Sequence, residues 1–182
     1  MQAKRNIVNI VLTGFMGTGK TAVGMRLAEM LCMEFVDTDD IVEEDSKMSI
    51  SVIFSAMGEA HFRDLESKAV EKASKFNRYV IATGGGVVLR ERNLQCLRSS
   101  GMLFCLDAIP EVIFQRTSSF SHRPLLQVED PIGQIRKLLQ IREPFYAKAD
   151  HRIDTSQLTV NQVVDTIADL FKAGSLTVIR DR

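Results

Sequence analysis

The stretch LTGFMGTGKTAVG, residues 12–24, decides how the rest of the chain is read. It follows the apolar run NIVNIVL at 6–12 and leads into apolar residues at helical spacing, so a glycine-rich loop joins a strand to a helix. Gly14, Gly19, Lys20 and Thr21 satisfy the pattern G-x-x-x-x-G-K-[ST]. The physics suits the spacing. Small residues let backbone N–H groups curl around phosphate oxygens at the positive end of a helix, a lysine spans β and γ phosphates, and a threonine hydroxyl suits Mg²⁺. The same letters admit a second reading: Gly17, Gly19 and Ala22 fit the dinucleotide pattern G-x-G-x-x-[GA], with Asp37 standing where a ribose-binding acid belongs. A dinucleotide loop has no use for Lys20 and Thr21, and a triphosphate site uses both, so the triphosphate reading ranks first. A guanine-nucleotide switch ranks last, because neither N-K-x-D nor T-K-x-D occurs and the only D-x-x-G, at Asp130 and Gly133, follows a loop.

Working outward, NIVNIVL (6–12), EFVD (34–37), YVIAT (79–83), MLFCLD (102–107) and HRID (151–154) read as strands. Helical spacing lies between them. Val23, Leu27, Met30 and Leu31 share one face after the glycine loop; Val160, Val163, Val164, Ile167, Leu170 and Phe171 share another near the end. Thr159 and Gln162 have capping-box spacing before that last helix, and Gly174 reads as its stop. Strands alternating with helices predict an α/β fold with a parallel sheet covered on both faces and a site at the carboxyl ends of the strands. Two stretches depart from the alternation. Residues 38–77 have no strand signal and about three turns of helix on each side of Met57 and Gly58, the mark of a helical insertion. Residues 118–131, SSFSHRPLLQVEDP, have two prolines and no period and read as a mobile loop. The tail SLTVIRDR is either an edge segment or disordered.

At 182 residues the chain suits one domain. Lysine plus arginine equals aspartate plus glutamate at 23 each, so no net field attracts nucleic acid or an anionic membrane. Cys32, Cys96 and Cys105 are odd in number and lack metal-ligand spacing; they read as buried, reduced thiols of a cytoplasmic protein. No apolar run approaches membrane-spanning length. The histidines, His61, His122 and His151, show no ligand or catalytic spacing, and the eight methionines read mostly as core filling.

Candidate site residues gather at the predicted strand ends. The second strand ends in VDTDD, where strand alternation puts Asp37 and Asp39 on one side, one to hold a hydrated Mg²⁺ and the other to take a proton from an attacking hydroxyl. Helix capping by both of these acids, with Asp40 and Glu43 serving the first turn equally well, is the plain alternative. In GEAHFRDLE, Arg63 and Glu66 are three apart, which taken alone is an ordinary surface pair. The glycines of TGGG, Gly84, Gly85 and Gly86, imply a backbone that approaches a ligand closely. Arg116 and Arg123 flank the mobile loop, where an arginine can neutralise charge on a transferred phosphoryl group. Arg142 precedes Pro144, which should kink or end its helix. Arg63 and Arg142 together could grip a planar carboxylate.

LTGFMGTGKTAVG, VDTDDIVE, GEAHFRDLE, TGGGVVL, HRPLL and REPFY, in this order and at these separations, resemble shikimate kinase over about residues 7–172. The resemblance implies a nucleoside-monophosphate-kinase type of P-loop fold: a five-stranded parallel sheet, a helical substrate-binding insertion at 38–77 and a lid at 116–131. It implies transfer of the γ-phosphoryl of ATP to the 3-hydroxyl of shikimate with Mg²⁺, on the route to chorismate, by a cytoplasmic monomer. Gly17, Thr18, Gly19, Lys20, Thr21 and Ala22 would cradle ATP, with Thr21 and, through water, Asp37 serving Mg²⁺. Asp39 would bind the shikimate hydroxyls and deprotonate the attacking one. Arg63, Arg142, Gly85 and Gly86 would hold the carboxylate, with Glu66 positioning Arg63. Arg123 would be the lid arginine and Arg116 would stack on adenine. One feature departs from the family: RIDTSQLTVNQ has no proline after Thr155, which implies a looser adenine contact on that side.

Overall fold

The computed structural model describes residues 8–118 and 128–180, with side chains described through residue 174. Five parallel strands form one sheet in the order β2-β3-β1-β4-β5, with β1 (Asn9–Gly14) at its centre. The others are β2 (Glu34–Asp37), β3 (Tyr79–Ala82), β4 (Gly101–Asp107) and β5 (His151–Asp154). Register is continuous through the centre: Ile10, Val11 and Leu12 pair with Val80, Ile81 and Ala82 on one side and with Met102, Leu103 and Phe104 on the other.

Side-chain alternation along these buried strands feeds two separate cores. Ile10, Leu12, Val80, Phe104 and Leu106 pack under α1 (Lys20–Leu31) and α7 (Val160–Arg180), where Val23, Leu27, Val164 and Ile167 meet them. Val11, Ile81, Leu103 and Cys105 face the opposite way, toward α2 (Thr38–Ser46), α3 (Ile50–Ala73) and α4 (Glu91–Ser100). A third, smaller cluster of Phe15, Ala108, Ile113 and Ile135 joins the glycine loop to α5 (Pro110–Thr117) and α6 (Pro131–Tyr146).

The predicted elements are present with shifted edges. The first strand runs two residues further, to Gly14, because its partner β4 continues to pair with it there. The 38–77 insertion is helical, but it breaks at residues 47–49, where Lys47 is left-handed, and kinks at Gly58. The Thr159 and Gln162 capping box forms in both directions: Gln162 N–H donates to Thr159 Oγ1 and Thr159 N–H donates to Gln162 Oε1. Gly174 does not stop α7, which runs on through Arg180, so the start of the tail is neither edge strand nor coil. One glycine inside a helix costs only about 1 kcal/mol of conformational entropy, too little by itself to end it.

Three readings of burial need correction. Met30 is 45% exposed and Val160 is 40% exposed, because each lies on the flank of its apolar stripe rather than at its centre. Met25 and Met57 also face outward, so the methionines are divided between core and surface. Cys32 is exposed at the C-terminal cap of α1, while Cys105 is buried and Cys96 is half-buried. Among the described residues, no helix is long and apolar enough to cross a membrane.

Candidate active site

The carboxyl ends of β1, β2 and β3 open onto two adjoining cavities. The first, of about 200 Å³, is lined by Met16, Gly17, Gly19, Lys20, Thr21, Ala22, Asp37, Asp39 and Gly85. It is the glycine loop seen as a volume, with Gly17 and Gly19 in left-handed conformations that turn the chain into the start of α1. The Lys20 ammonium donates to Gly14 O at 2.9 Å and Phe15 O at 2.8 Å, folding back across its own loop. Thr18 is buried and its hydroxyl donates to Phe15 O at 2.8 Å, which fixes the loop from inside.

Asp37 and Asp39 do converge, by a different route from strand alternation. The strand ends at Asp37 and helix begins at Thr38, so Asp39 reaches the cavity from the first turn of α2. Asp37 is the N-cap, with its carboxylate accepting from Asp39 N–H at 3.0 Å and from the Thr21 hydroxyl at 3.2 Å. Capping and site placement are thus one arrangement. Burial, together with the charges of Asp37 and Glu43, raises the neighbouring Asp40 carboxyl above its ordinary value.

The second cavity, of about 320 Å³, takes Met16, Asp39 and Gly85 as its shared wall with the first. Its far side is built from α2 and α3, with Glu43, Ile50, Phe54 and Phe62 among its lining, and Arg63, Glu66, Gly86 and Arg142 complete it. Arg142, only 4% exposed, donates to Gly85 O at 3.1 Å and lies over the Phe15 ring at 5.1 Å. Arg63 donates through one nitrogen to both Glu66 oxygens at 2.9 and 3.0 Å and through the others to Glu59. Glu66 is 1% exposed, so this is a half-buried ion pair rather than the surface pair the spacing alone suggests. Burial pushes the Glu66 carboxyl above its ordinary value, although Arg63, Arg142 and Arg90 all pull the other way. Burial also works against the Arg63 charge, yet Glu66 and Glu59 outweigh it and hold that guanidinium above its usual value.

The triple glycine has a specific steric cause. A Cβ on Gly84 would lie 2.7 Å from Asp39 Oδ1 and 3.0 Å from Glu66 Oε1, and one on Gly86 would lie 2.3 Å from the Arg63 guanidinium. The chain is bare there so that the protein's own charged side chains can lie on it, which refines the expectation of close ligand approach.

Arg116 sits on the other rim of the glycine loop. Its guanidinium donates to Thr155 Oγ1 at 3.0 Å, Thr155 O at 2.8 Å and Gly17 O at 3.4 Å, tying the β5–α7 connection to the loop. Arg123 lies outside the described residues, as does His122. Of the other histidines, His61 is exposed and His151 stacks on Phe104. Sequence reasoning missed Thr155, Phe54, Phe62 and Tyr146. The Tyr146 hydroxyl donates to the same Gly85 carbonyl as Arg142, at 2.8 Å. Its place four residues after Arg142 on one helix was a readable signal; Phe54 and Phe62 are eight apart, a helical spacing that the Gly58 kink between them interrupts.

A gluconokinase from Sinorhizobium meliloti superposes with a TM-score of 0.60 at 16% identity over 96% of this chain and 99% of that one, a likeness of fold alone. Sheet order, glycine loop and helical insertion together define a P-loop kinase of the nucleoside-monophosphate-kinase type. The shikimate kinase family matches residues 16–172, and a shikimate kinase from Caldanaerobacter subterraneus subsp. tengcongensis is 52% identical over 87% of this chain and 93% of that protein. The shikimate kinase from Acinetobacter baumannii, solved in complex with shikimate, superposes with a TM-score of 0.89 at 37% identity over 94% of this chain and 97% of that one. The chain belongs to the shikimate kinase family.

Proposed function

We propose that the protein transfers the γ-phosphoryl group of ATP to the 3-hydroxyl of shikimate, giving shikimate 3-phosphate and ADP for aromatic amino acid biosynthesis. One observation carries the reading: Asp39, Met16 and Gly85 line both cavities. An acceptor held in the larger cavity therefore faces the phosphate loop across a carboxylate. Arg63 and Arg142 grip the acceptor's carboxylate, helped by the backbone of Gly85 and Gly86, and Glu66 holds Arg63 in aim. Asp39 orients the 3-hydroxyl and takes its proton as the oxygen attacks the γ-phosphorus, while the bond from that phosphorus to the bridging oxygen of ADP breaks. Lys20 swings from its loop carbonyls to the transferred phosphate, and Gly17, Thr18, Gly19, Thr21 and Ala22 hold the rest. Arg123 acts as the lid arginine, and Arg116 stacks against adenine.

The Thr21 hydroxyl and Asp37 carboxylate, 3.2 Å apart, are hard oxygen donors of the kind Mg²⁺ takes. Among the described residues there is no group of three or more His, Cys, Asp or Glu placed for a metal, so an ion here would complete its shell from phosphate and water. When bound it would neutralise charge on the phosphate oxygens. The reading includes a single domain whose insertion spans 38–77 and whose lid spans 116–131, working as a cytoplasmic monomer.

ADP release tests the reading when ATP and Mg²⁺ are supplied with shikimate, with gluconate, or with no acceptor. Shikimate-dependent ADP is the expected result. ADP only with gluconate would keep the fold and discard the roles given to Arg63 and Arg142.

A further inference from the structure

Arg90 lies outside both cavities and outside every motif read from the sequence. It follows the short 3-10 turn Val87–Leu89 and is the N-cap residue of α4. Its Nη1 reaches across to α3 and makes three contacts there: Arg63 O at 2.9 Å, Ser67 Oγ at 3.1 Å and Asp64 Oδ1 at 2.8 Å. The first of these is the backbone of the residue whose guanidinium lies on Gly86. Arg63 O also accepts from the Ser67 hydroxyl at 3.0 Å, so one carbonyl gathers Arg90 and Ser67.

The consequence is geometric. Residues 84–90 form one short segment that meets the two arginines at one end and holds the α3 backbone at the other. Gly85 O anchors Arg142, Gly86 supports the Arg63 guanidinium, and Arg90 fixes the Arg63 main chain. The kink at Gly58 leaves the first half of α3 joined to the second through a single non-helical residue, so α3 does not hold its own second half in place from that side. We infer that Arg90 is a positioning residue for acceptor binding: by pinning Arg63, Asp64 and Ser67 to the glycine segment, it sets the spacing between the Arg63 and Arg142 guanidinium groups. This rests on the proposed grip of a carboxylate by those two arginines.

Steady-state kinetics of Arg90→Ala test it, with shikimate and ATP varied in turn and with the methyl ester of shikimate as an acceptor lacking the anion. The expected result is a rise of about tenfold in KM for shikimate, an unchanged KM for ATP, and no further loss on the ester, whose grip is already gone. Arg90→Lys keeps a donor cation and should recover part of the shikimate KM. A loss of stability alone would move neither the split between the two substrates nor the ester comparison. Should Arg90→Ala not fold, Arg90→Lys carries the same test, with a rise of about threefold expected. An unchanged shikimate KM in the folded variant, or an equal rise in KM for acid and ester, overturns the inference while normal wild-type turnover keeps the functional reading. Wild-type protein that does not use shikimate overturns both.

Discussion

The glycine loop and the larger cavity, proposed to hold phosphate and acceptor, share a wall but are assembled by opposite means. The loop is local: residues 14–21 fold on themselves, and Lys20 and Thr18 close it through its own carbonyls. The larger cavity is dispersed, drawing Asp39 from α2, Phe62, Arg63 and Glu66 from α3, Gly85 and Gly86 from a connection, and Arg142 from α6. Backbone groups at a helix end recognise any phosphate, so a local motif suffices for the first. Recognising one particular acid takes charged side chains held at fixed distances, which no short run of chain supplies by itself.

Asp39 belongs to both regions and its replacement should have the largest effect. Asp39→Asn is expected to lower turnover about 1000-fold while ATP affinity stays within about twofold, since a general base contributes on that order and the phosphate contacts lie elsewhere. Pre-steady-state product formation with equilibrium ATP binding measures both, and near-normal turnover would remove Asp39 from the chemistry. Gly86→Ala comes next. Its methyl would displace the Arg63 guanidinium without touching the loop, so shikimate KM should rise about 10- to 100-fold with little change for ATP. Equal effects on both substrates would mean that the two regions are not separable in the way described.

Legibility followed the same division. Gly14, Gly19, Lys20 and Thr21 could be read from spacing because the chemistry is contained in consecutive residues. Arg63 and Glu66 looked like an exposed helical pair, since nothing in nine residues of sequence reveals that the glycine segment lies against them. Guanidinium chemistry allowed Arg63 and Arg142 a shared grip on a carboxylate, and the ordered set of motifs then gave Arg63 and Glu66 their implied roles. The five strands and their parallel sheet were expected, whereas the order of the strands and the break at residues 47–49 were not, because strand order rests on pairing between distant segments and Lys47, which takes a left-handed conformation, carries no turn signal. Asp37 and Asp39 were paired by the wrong geometry: alternation assumes the strand continues, and the Asp37 cap ends it.

Smaller effects sharpen the contrast through stability. Gly58 has φ 81° and ψ 171°, a combination open essentially to glycine alone, although a side chain there would meet open space. Gly58→Ala should therefore cost about 1–3 kcal/mol from backbone strain, read as a fall of about 2–12 °C in Tm. An unchanged Tm would show that α3 relaxes at no cost. The pH dependence of Glu66→Gln should be smaller still. The folded pKa of Glu66 is raised above its ordinary 4.5, so the folded state holds that proton more tightly and stability falls as pH rises from 4.5 through the raised value. Glu66→Gln should lack this part of the slope in Tm against pH, and wild-type and variant curves that run parallel would contradict the burial account.

Calorimetric titration of ATP and of shikimate into Lys20→Met and Arg142→Ala tests most directly the claim that a local phosphate site and a dispersed carboxylate site are built independently and meet at Asp39. Lys20→Met should lose ATP affinity and keep shikimate; Arg142→Ala should lose about 30- to 100-fold in shikimate affinity, the worth of a buried charge-assisted pair, and keep ATP. Parallel loss of both ligands in either variant would contradict the account.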